Sequence, residues 1–345
     1  MNIAQLTSQF PHCGNSFRID TYRSCSFGCK YCFAQNRQGN FTNDGSDDKA
    51  TFKQIDNLAQ SNGITGELIN HKVPMHFGGM ADPFQPIEFE LGLTQYFLSK
   101  FTEYPIMFST KTDYLPDYYY NYLNPLYHAF QISIAGIPDN VLRNIEANTP
   151  TTDSRLNFAR QLKARGFTVF IRIQPLIMLE WAEYIINDIG NIVDGFTIEH
   201  LKFPLDNKNK LDIMIGICRD LDITMRLVAK RREYEVEAQE KYHNIQTLKK
   251  IKRTALINVG DNDLRLLSEG VNCCGLDACP DSFKNWLQHN SMAIKITGKW
   301  DNWMPQKKCT AGLNSTCIID GYGYADYVKR NYIEYYGDPL QTAMF

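Results

Sequence analysis

The sequence predicts an α/β protein whose parallel strands curl into a full or partial barrel. Three observations predict it. Short β-rich runs alternate with helical stretches about six times between residues 17 and 200, the pattern of βα units joined by right-handed crossovers. Runs such as Phe167-Thr168-Val169-Phe170-Ile171-Arg172-Ile173 are nearly continuously apolar, as strands covered on both faces are. Polar groups also gather where the strands end, namely Gly78 with Gly79, Ser109 to Lys111, Ser133, Arg172 with Gln174, and Glu199 with His200. That is the edge where barrel proteins build their sites.

Taken in order, residues 1–16 are polar and read as a loop or arm. Phe17 to Tyr22 alternates and reads as a short strand. Residues 36–50 are turn-rich and read as a mobile loop, and 51–60 as a helix. Val73 to Phe77 is the next strand and Glu88 to Phe101 the next helix. Pro105 to Lys111 follows as a strand, then a tyrosine-rich helical stretch over 114–126, then a strand over Ala129 to Ile134. Pro150 to Asp153 starts a helix that places Leu156, Ala159 and Leu162 on one face. Trp181, Tyr184, Ile185 and Ile189 give a further helix face, and Gly195 to Glu199 a strand. Beyond Pro204 the pattern weakens to a helix over Lys210 to Asp220, a strand over Ile223 to Val228, and a charged helix over 230–253 that ends in the basic cluster Lys249, Lys250, Lys252 and Arg253.

The 345 residues suffice for one large domain with an appendage. A net charge of −2 gives no global field to draw nucleic acid. No apolar run is long enough to span a membrane, and residues 1–10 lack a signal-peptide pattern. A cytoplasmic location with no membrane partner is the expectation. Ten cysteines in a reducing compartment then point to metal, catalysis or redox work rather than disulfides.

Three of the ten, Cys25, Cys29 and Cys32, lie within eight residues at C-x3-C-x2-C spacing. Three thiolates cannot close a tetrahedral single-metal site, but they can hold three corners of a cubane [4Fe–4S] cluster and leave the fourth iron open. Gly28 suits the sharp turn this requires. A zinc loop with a remote fourth ligand, or three structural thiols, are the alternatives.

The stretch Asp20-Thr21-Tyr22-Arg23-Ser24-Cys25-Ser26-Phe27-Gly28-Cys29-Lys30-Tyr31-Cys32-Phe33-Ala34 resembles the cluster loop of the spore photoproduct lyase-like branch of the radical S-adenosylmethionine (SAM) superfamily. Asp82-Pro83-Phe84-Gln85-Pro86-Ile87-Glu88 resembles a branch-typical sequence after the second strand, and Ser109-Thr110-Lys111 its third-strand ending. Ile132-Ser133-Ile134, and the 155–166 helix before a strand ending in Gln174-Pro175, continue the likeness over roughly residues 18–204. The resemblance implies a partial (β/α)6 barrel over 1–205. It also implies SAM chelated at the open iron and its reductive cleavage to a 5′-deoxyadenosyl radical that abstracts hydrogen from a substrate.

That chemistry gives the strand-end groups their expected roles. Tyr31 belongs to the signature and is expected near the cofactor. Gly78 and Gly79 leave backbone open to the amine or ribose of SAM. Lys111 or Arg172 pairs its carboxylate, and Ser133 and Asp82 bond its ribose or amine. The resemblance itself makes Lys111 and Ser133 SAM contacts, with Asp82 and Glu88 shaping the pocket.

Residues 206–260 read as a barrel-covering helix and strand segment, and 261–345 as a cysteine-rich C-terminal extension outside the resemblance. There Cys274, Cys279, Cys309 and Cys317 are candidate ligands of a second [4Fe–4S] cluster or a zinc ion, with reduced structural thiols as the alternative. Cys273, Cys274 and Cys13 are candidate hydrogen donors at the catalytic centre. The expected function is a radical SAM enzyme acting on a nucleobase or nucleotide in repair or modification of nucleic acid, as a lyase, isomerase or transferase. A reduced flavodoxin or ferredoxin would supply electrons. The alternatives are radical modification of a peptide, protein or small metabolite with an auxiliary cluster, and a non-enzymatic iron–sulfur or zinc scaffold. A light-damaged thymine dimer is not the expected substrate, because the C-terminal half departs from the branch.

Overall fold

A computed structural model of the chain describes residues 3–6, 15, 17–34, 49–70, 72–204, 208–222, 224, 227–230, 233–270 and 273–283. Its centre is an eight-stranded sheet. The strands are β1 (Ala4–Leu6), β2 (Phe17–Ile19), β3 (Met75–Phe77), β4 (Ile106–Thr110), β5 (His128–Gly136), β6 (Thr168–Leu176) and β7 (Gly195–His200). Three short strands, β8 (Lys202–Pro204), β9 (Leu227–Lys230) and β10 (Glu233–Val236), form a separate antiparallel sheet in the order β8-β10-β9. The eighth strand of the main sheet is β11 (Leu256–Val259). The main order is β1-β2-β3-β4-β5-β6-β7-β11. Seven of these strands, β2 to β7 and β11, run parallel, and β1 pairs antiparallel at the edge. The α/β class and the parallel sheet of a partial barrel are as expected, with one strand more than the six of the sequence reading.

The helices lie between the strands in chain order: α1 (Phe52–Ala59), α2 (Gly63–Asn70), α3 (Glu88–Leu91), α4 (Leu93–Lys100), α5 (Asp139–Ile145), α6 (Thr152–Ala164), α7 (Leu179–Ile189), α8 (Lys208–Asp220) and α9 (Ala238–Ile251). Their starts follow local chemistry. Thr51 accepts from the backbone of Gln54 while the Gln54 side chain accepts from the backbone of Thr51, a closed capping box. Thr151 accepts from Ser154 at the head of α6, which buries Leu156, Phe158, Ala159 and Leu162 as its spacing predicts. The outer layer of the sheet is a single apolar core. Phe77, Phe97, Phe108, Phe130 and Phe158 in it are all at 0% exposure.

Several elements differ from expectation. The stretch 88–101 is two helices, because Gly92 takes φ +65° between them. Over 114–126 the structure has only a 3-10 turn at Asp117–Asn121, since Pro116 and Pro125 remove the donors a longer helix needs. The charged segment begins as β10 before turning into α9. β1 forms where residues 1–16 read as an arm, because pairing with β2 in the register Ala4↔Ile19 supplies the partner that a three-residue run cannot signal. Of residues 36–50, read as a mobile loop, 36–48 lie outside the described residues, as do Cys13, Cys309 and Cys317, while Lys49 forms an antiparallel bridge with Tyr22.

The last described stretch, 273–283, returns to the concave side of the sheet. Cys274, Leu276, Cys279 and Phe283 pack against Met107 of β4, Ala129 of β5 and Phe170 of β6. The Thr197 hydroxyl of β7 donates to the Cys273 carbonyl at 2.7 Å, and the Asn15 amide reaches the Cys274 sulfur at 3.9 Å. The backbone of Gly275 lies so close to the Phe170 ring that a Cβ would sit 2.4 Å from it. This segment is a floor laid across the inner face from the β2 side to β7.

Candidate cofactor site at the strand ends

The cysteine loop leaves the C-terminal end of β2. Gly28 adopts φ +61°, the left-handed turn expected of it. The amide of Cys32 donates to the carbonyl of Cys29 at 3.0 Å, and that of Lys30 to Ile145 at 2.9 Å. Cys29 is buried, and Cys25 and Cys32 are half-buried. Burial pushes the Cys25 thiol up to about 12, with the Asp82 carboxylate adding to it. Burial likewise drives Cys29 well above its ordinary range, against the pull of Lys111, and Cys25 and Cys32 raise it further. The three thiols therefore feel one another in a place where anions are unfavourable without a cation. Ligation of a metal would supply that cation and displace the protons. Among the described residues no three metal-ligating side chains converge on a single-ion site. The donor chemistry, three thiols on one short loop, is of the kind an iron–sulfur cluster takes.

Around this loop the strand-end residues divide into those that brace and those that face inward. Asp82 is a brace. One carboxylate oxygen accepts from the Thr110 hydroxyl at 2.8 Å and from Phe84 at 2.9 Å, the other from the Lys111 amide at 2.6 Å. Gly78, at φ +91°, lies against β4, where a Cβ would stand 2.3 Å from the Ser109 carbonyl oxygen. A Cβ on Gly79 would meet the Arg18 side chain at 2.3 Å. Both glycines thus permit close approach of protein to protein. Ser133 is 8% exposed, and its carbonyl accepts from Arg155 at 2.7 Å.

Lys111 faces the cysteines. Its ammonium lies 5.7 Å from the centre of the Tyr31 ring. Burial opposes its charge, but Cys29 and Glu146 outweigh burial and hold its pKa above the ordinary lysine value. Tyr31 donates its hydroxyl to Glu146, whose carboxylate also pairs with Arg155 at 3.1 Å and accepts from Thr149 at 3.0 Å. Burial works against this carboxylate too, yet Arg155 and Lys111 keep its pKa low. The result is a buried anion flanked by two cations directly behind the cysteine loop.

The inner wall continues across the sheet. His76 of β3 bonds Ser109 at 2.7 Å, and Ser109 donates to Gln131 at 3.0 Å. Burial, aided by Arg172 and Arg18, lowers His76 to about 3, so the imidazole is neutral. Arg172 donates to Gln131 at 3.2 Å, to Gln174, and faces Glu199 at 3.6 Å. Its guanidinium is thus engaged by the wall itself. Gln174 and Lys202 both reach Glu199, at 2.7 and 3.0 Å. His200 bonds Asp261 at 2.7 Å, and Asn244 approaches the other ring nitrogen at 3.3 Å.

The candidate residues therefore fall into two places. Cys25, Cys29, Cys32, Tyr31, Asp82 and Lys111 gather at the ends of β2 to β4, with Gly78, Gly79, Ser133 and Arg172 along the same edge. Cys273, Cys274 and Cys279 sit in the floor. The Cys273 and Cys274 sulfurs are 4.0 Å apart, and Cys274 and Cys279 are 4% and 1% exposed among apolar side chains. The basic cluster Lys249 to Arg253 ends α9 just before β11 begins, and so lies at the opposite end of the strands from the cysteine loop. Sequence reasoning missed Gln85, Glu146 and the His76–Ser109–Gln131 chain as site residues. Gln85 stood inside one motif and Ser109 inside another, Ser109-Thr110-Lys111; Glu146, His76 and Gln131 stood in none. No helix among the described residues is long and apolar enough to cross a membrane.

No protein-family model and no curated protein matches the chain. Solved structures do. A doubly substituted spore photoproduct lyase with bound AdoMet and dinucleoside spore photoproduct superposes with a TM-score of 0.53 at 16% identity, covering 73% of this chain and 78% of that chain. A singly substituted spore photoproduct lyase gives 0.52 at 16% identity over the same shares. A third, carrying a tyrosine substitution, gives 0.51 at 17% identity, again over 73% and 78%. The parallel sheet of the partial barrel thus shares the fold of spore photoproduct lyase.

Proposed function

We propose that the chain is a radical SAM enzyme acting on a nucleobase or nucleotide. The observation that carries this reading is the cysteine triad, set beside a half-buried lysine at the C-terminal edge of a sheet with the spore photoproduct lyase fold. When bound, a reduced [4Fe–4S] cluster and SAM supply a 5′-deoxyadenosyl radical that takes a hydrogen atom from the substrate. The chain's own residues do the rest. Cys25, Cys29 and Cys32 would hold the cluster. Lys111 would offer its ammonium to the SAM carboxylate, and the Glu146–Arg155 pair behind it holds Tyr31 in place. The floor and the inner wall exclude water from the radical.

The substrate class follows from two supports. One neighbour of this fold holds a dinucleoside spore photoproduct. The wall here offers a neutral, half-buried imidazole, His76, backed by Ser109 and Gln131, with one internally paired charge, Arg172 with Glu199. Such groups suit the edge of a base. The Lys249 cluster takes no part, since it lies at the far end of the strands. Cys273, half-buried in the floor with its carbonyl bonded by Thr197, is the thiol assigned as hydrogen donor. The reductant is a flavodoxin or ferredoxin of a cytoplasmic host.

The test is anaerobic reconstitution, with iron, sulfide, EPR and 5′-deoxyadenosine read for the wild type and for a variant with Cys25, Cys29 and Cys32 all changed to Ala. About four irons and deoxyadenosine lost together in the variant are expected. Deoxyadenosine formation that persists without the triad would end the reading. Residual iron in the variant would establish a second cluster at Cys274, Cys279, Cys309 and Cys317, and residual zinc a structural zinc there. Stimulation by oligonucleotides with a base mass change supports the substrate class, and stimulation by peptides alone overturns it.

A further inference from the structure

We infer that Gln85 is the positioning residue that fixes the Cys25 corner of the cluster loop. The inference rests on the cluster reading above and adds to it a device for holding one ligand. Gln85 is completely buried. Its side-chain oxygen accepts from the Ser26 amide at 2.8 Å, and its side-chain nitrogen donates to the Ser24 carbonyl at 3.0 Å. The Ser24 carbonyl belongs to the peptide unit entering Cys25, and the Ser26 amide to the unit leaving it. One side chain therefore holds both planes whose rotation sets the direction of the Cys25 Cβ.

Of the other two corners, Cys32 bonds back to Cys29, and the Lys30 amide beside Cys29 reaches Ile145 in α5. Both peptide planes that flank Cys25 are held by one side chain, from 59 and 61 residues away. The holder is itself rigid. Pro83 and Pro86 restrict the turn on either side of Gln85. Asp82 ties its start to the end of β4 through Thr110 and Lys111. Glu88 ties its end to Tyr22 at 2.5 Å, to Tyr119, and to the Thr94 and Gln95 amides at 2.9 Å. Only glutamine satisfies both contacts. Glutamate keeps the acceptor for Ser26 but turns an anion toward the Ser24 carbonyl, and leucine offers neither partner.

The experiment compares wild type, Gln85→Leu, Gln85→Glu and the triple Cys→Ala variant. Loaded proteins are challenged with a ferrous chelator, and the reduced cluster is read by EPR. Separately, iron-free proteins are alkylated, and the rates at Cys25, Cys29 and Cys32 are resolved by peptide mass spectrometry. Gln85→Leu should lose iron about tenfold faster and shift the EPR signal. Gln85→Glu should fall between it and wild type, because one of two buried hydrogen bonds is kept. Alkylation of Cys25 should rise about fivefold in Gln85→Leu, with Cys29 and Cys32 within about twofold of wild type. Circular dichroism of the iron-free proteins reports misfolding, and if Gln85→Leu does not fold, Gln85→Glu carries the same comparison. Wild-type iron retention and Cys25 reactivity in the Gln85 variants overturn the inference while triad-dependent iron leaves the cluster reading standing. Iron in wild type that does not depend on the triad overturns both.

Discussion

The cysteine loop and the floor carry the same chemical group in opposite settings. In the loop, three thiols at close spacing sit at a strand end, two of them half-buried, with a lysine ammonium facing them. In the floor, Cys274 and Cys279 lie among Met107, Ala129, Phe170, Leu276 and Phe283, packed as small apolar side chains are. What separates a ligand from a packing group is thus the neighbouring charge and the access, and neither can be read from the cysteine itself.

Four measurements sharpen or break that comparison. The largest effect is expected from single Cys→Ala changes at 25, 29 or 32. Each should bring deoxyadenosine to background, and at the half-buried Cys25 and Cys32 the unfolding free energy of the iron-free protein should move by less than about 1 kcal/mol in urea. A large stability loss there would make the loop a packing element like the floor.

In the floor the order reverses. Cys279→Ser places a hydroxyl in an apolar site and should cost about 1–3 kcal/mol, more than Cys279→Ala, with iron and zinc content unchanged. Equal loss of metal in both variants would show a ligand instead.

The third measurement uses pH. His128 opens β5 next to Ala129, and its ring accepts from the Asn124 amide at 3.0 Å. Burial lowers it to about 3. The unfolded chain takes up the proton near the ordinary value of 6.5 while the folded chain does not, so the histidine's contribution is whole above that value and falls as pH drops toward 3. Urea unfolding at pH 7.5 and 5.5 should show His128→Asn less acid-sensitive than wild type by about 1 kcal/mol. Parallel pH curves would deny that the strand under the floor is tightly closed.

The smallest effect is Thr197→Val. It removes one hydrogen bond to the floor and should cost about 1 kcal/mol, read as a drop in midpoint with the triad's iron unaffected.

The strands were legible because their apolar runs are long and bounded, and the triad because its spacing is chemically narrow. Asp82 and Glu88 were legible as members of a motif, although the structure engages both carboxylates with the protein. Gln85's grip on the loop was not legible, because a side-chain bond to a distant backbone leaves no periodicity. The pairing of Glu146 with Arg155 was hidden for a related reason, Arg155 lying in a run that reads only as helix and Glu146 in a stretch that carries no predicted element. β11 escaped because four residues after a charged helix carry too little signal, and it is the parallel partner of β7 that makes them a strand. The floor was the least accessible. Its contact between Asn15 and Cys274 joins residues 259 apart.

That distance has a consequence for how the molecule is made. A chain emerging from the ribosome at about 5–20 residues per second presents β4, β5 and β6 long before the floor exists. During synthesis Met107, Ala129 and Phe170 therefore face solvent as an unfinished apolar surface, and assembly ends only when the segment around Leu276 and Phe283 arrives to cover it. A chain interrupted shortly before residue 273 would keep nearly every strand of the sheet and still be the species that chaperones hold.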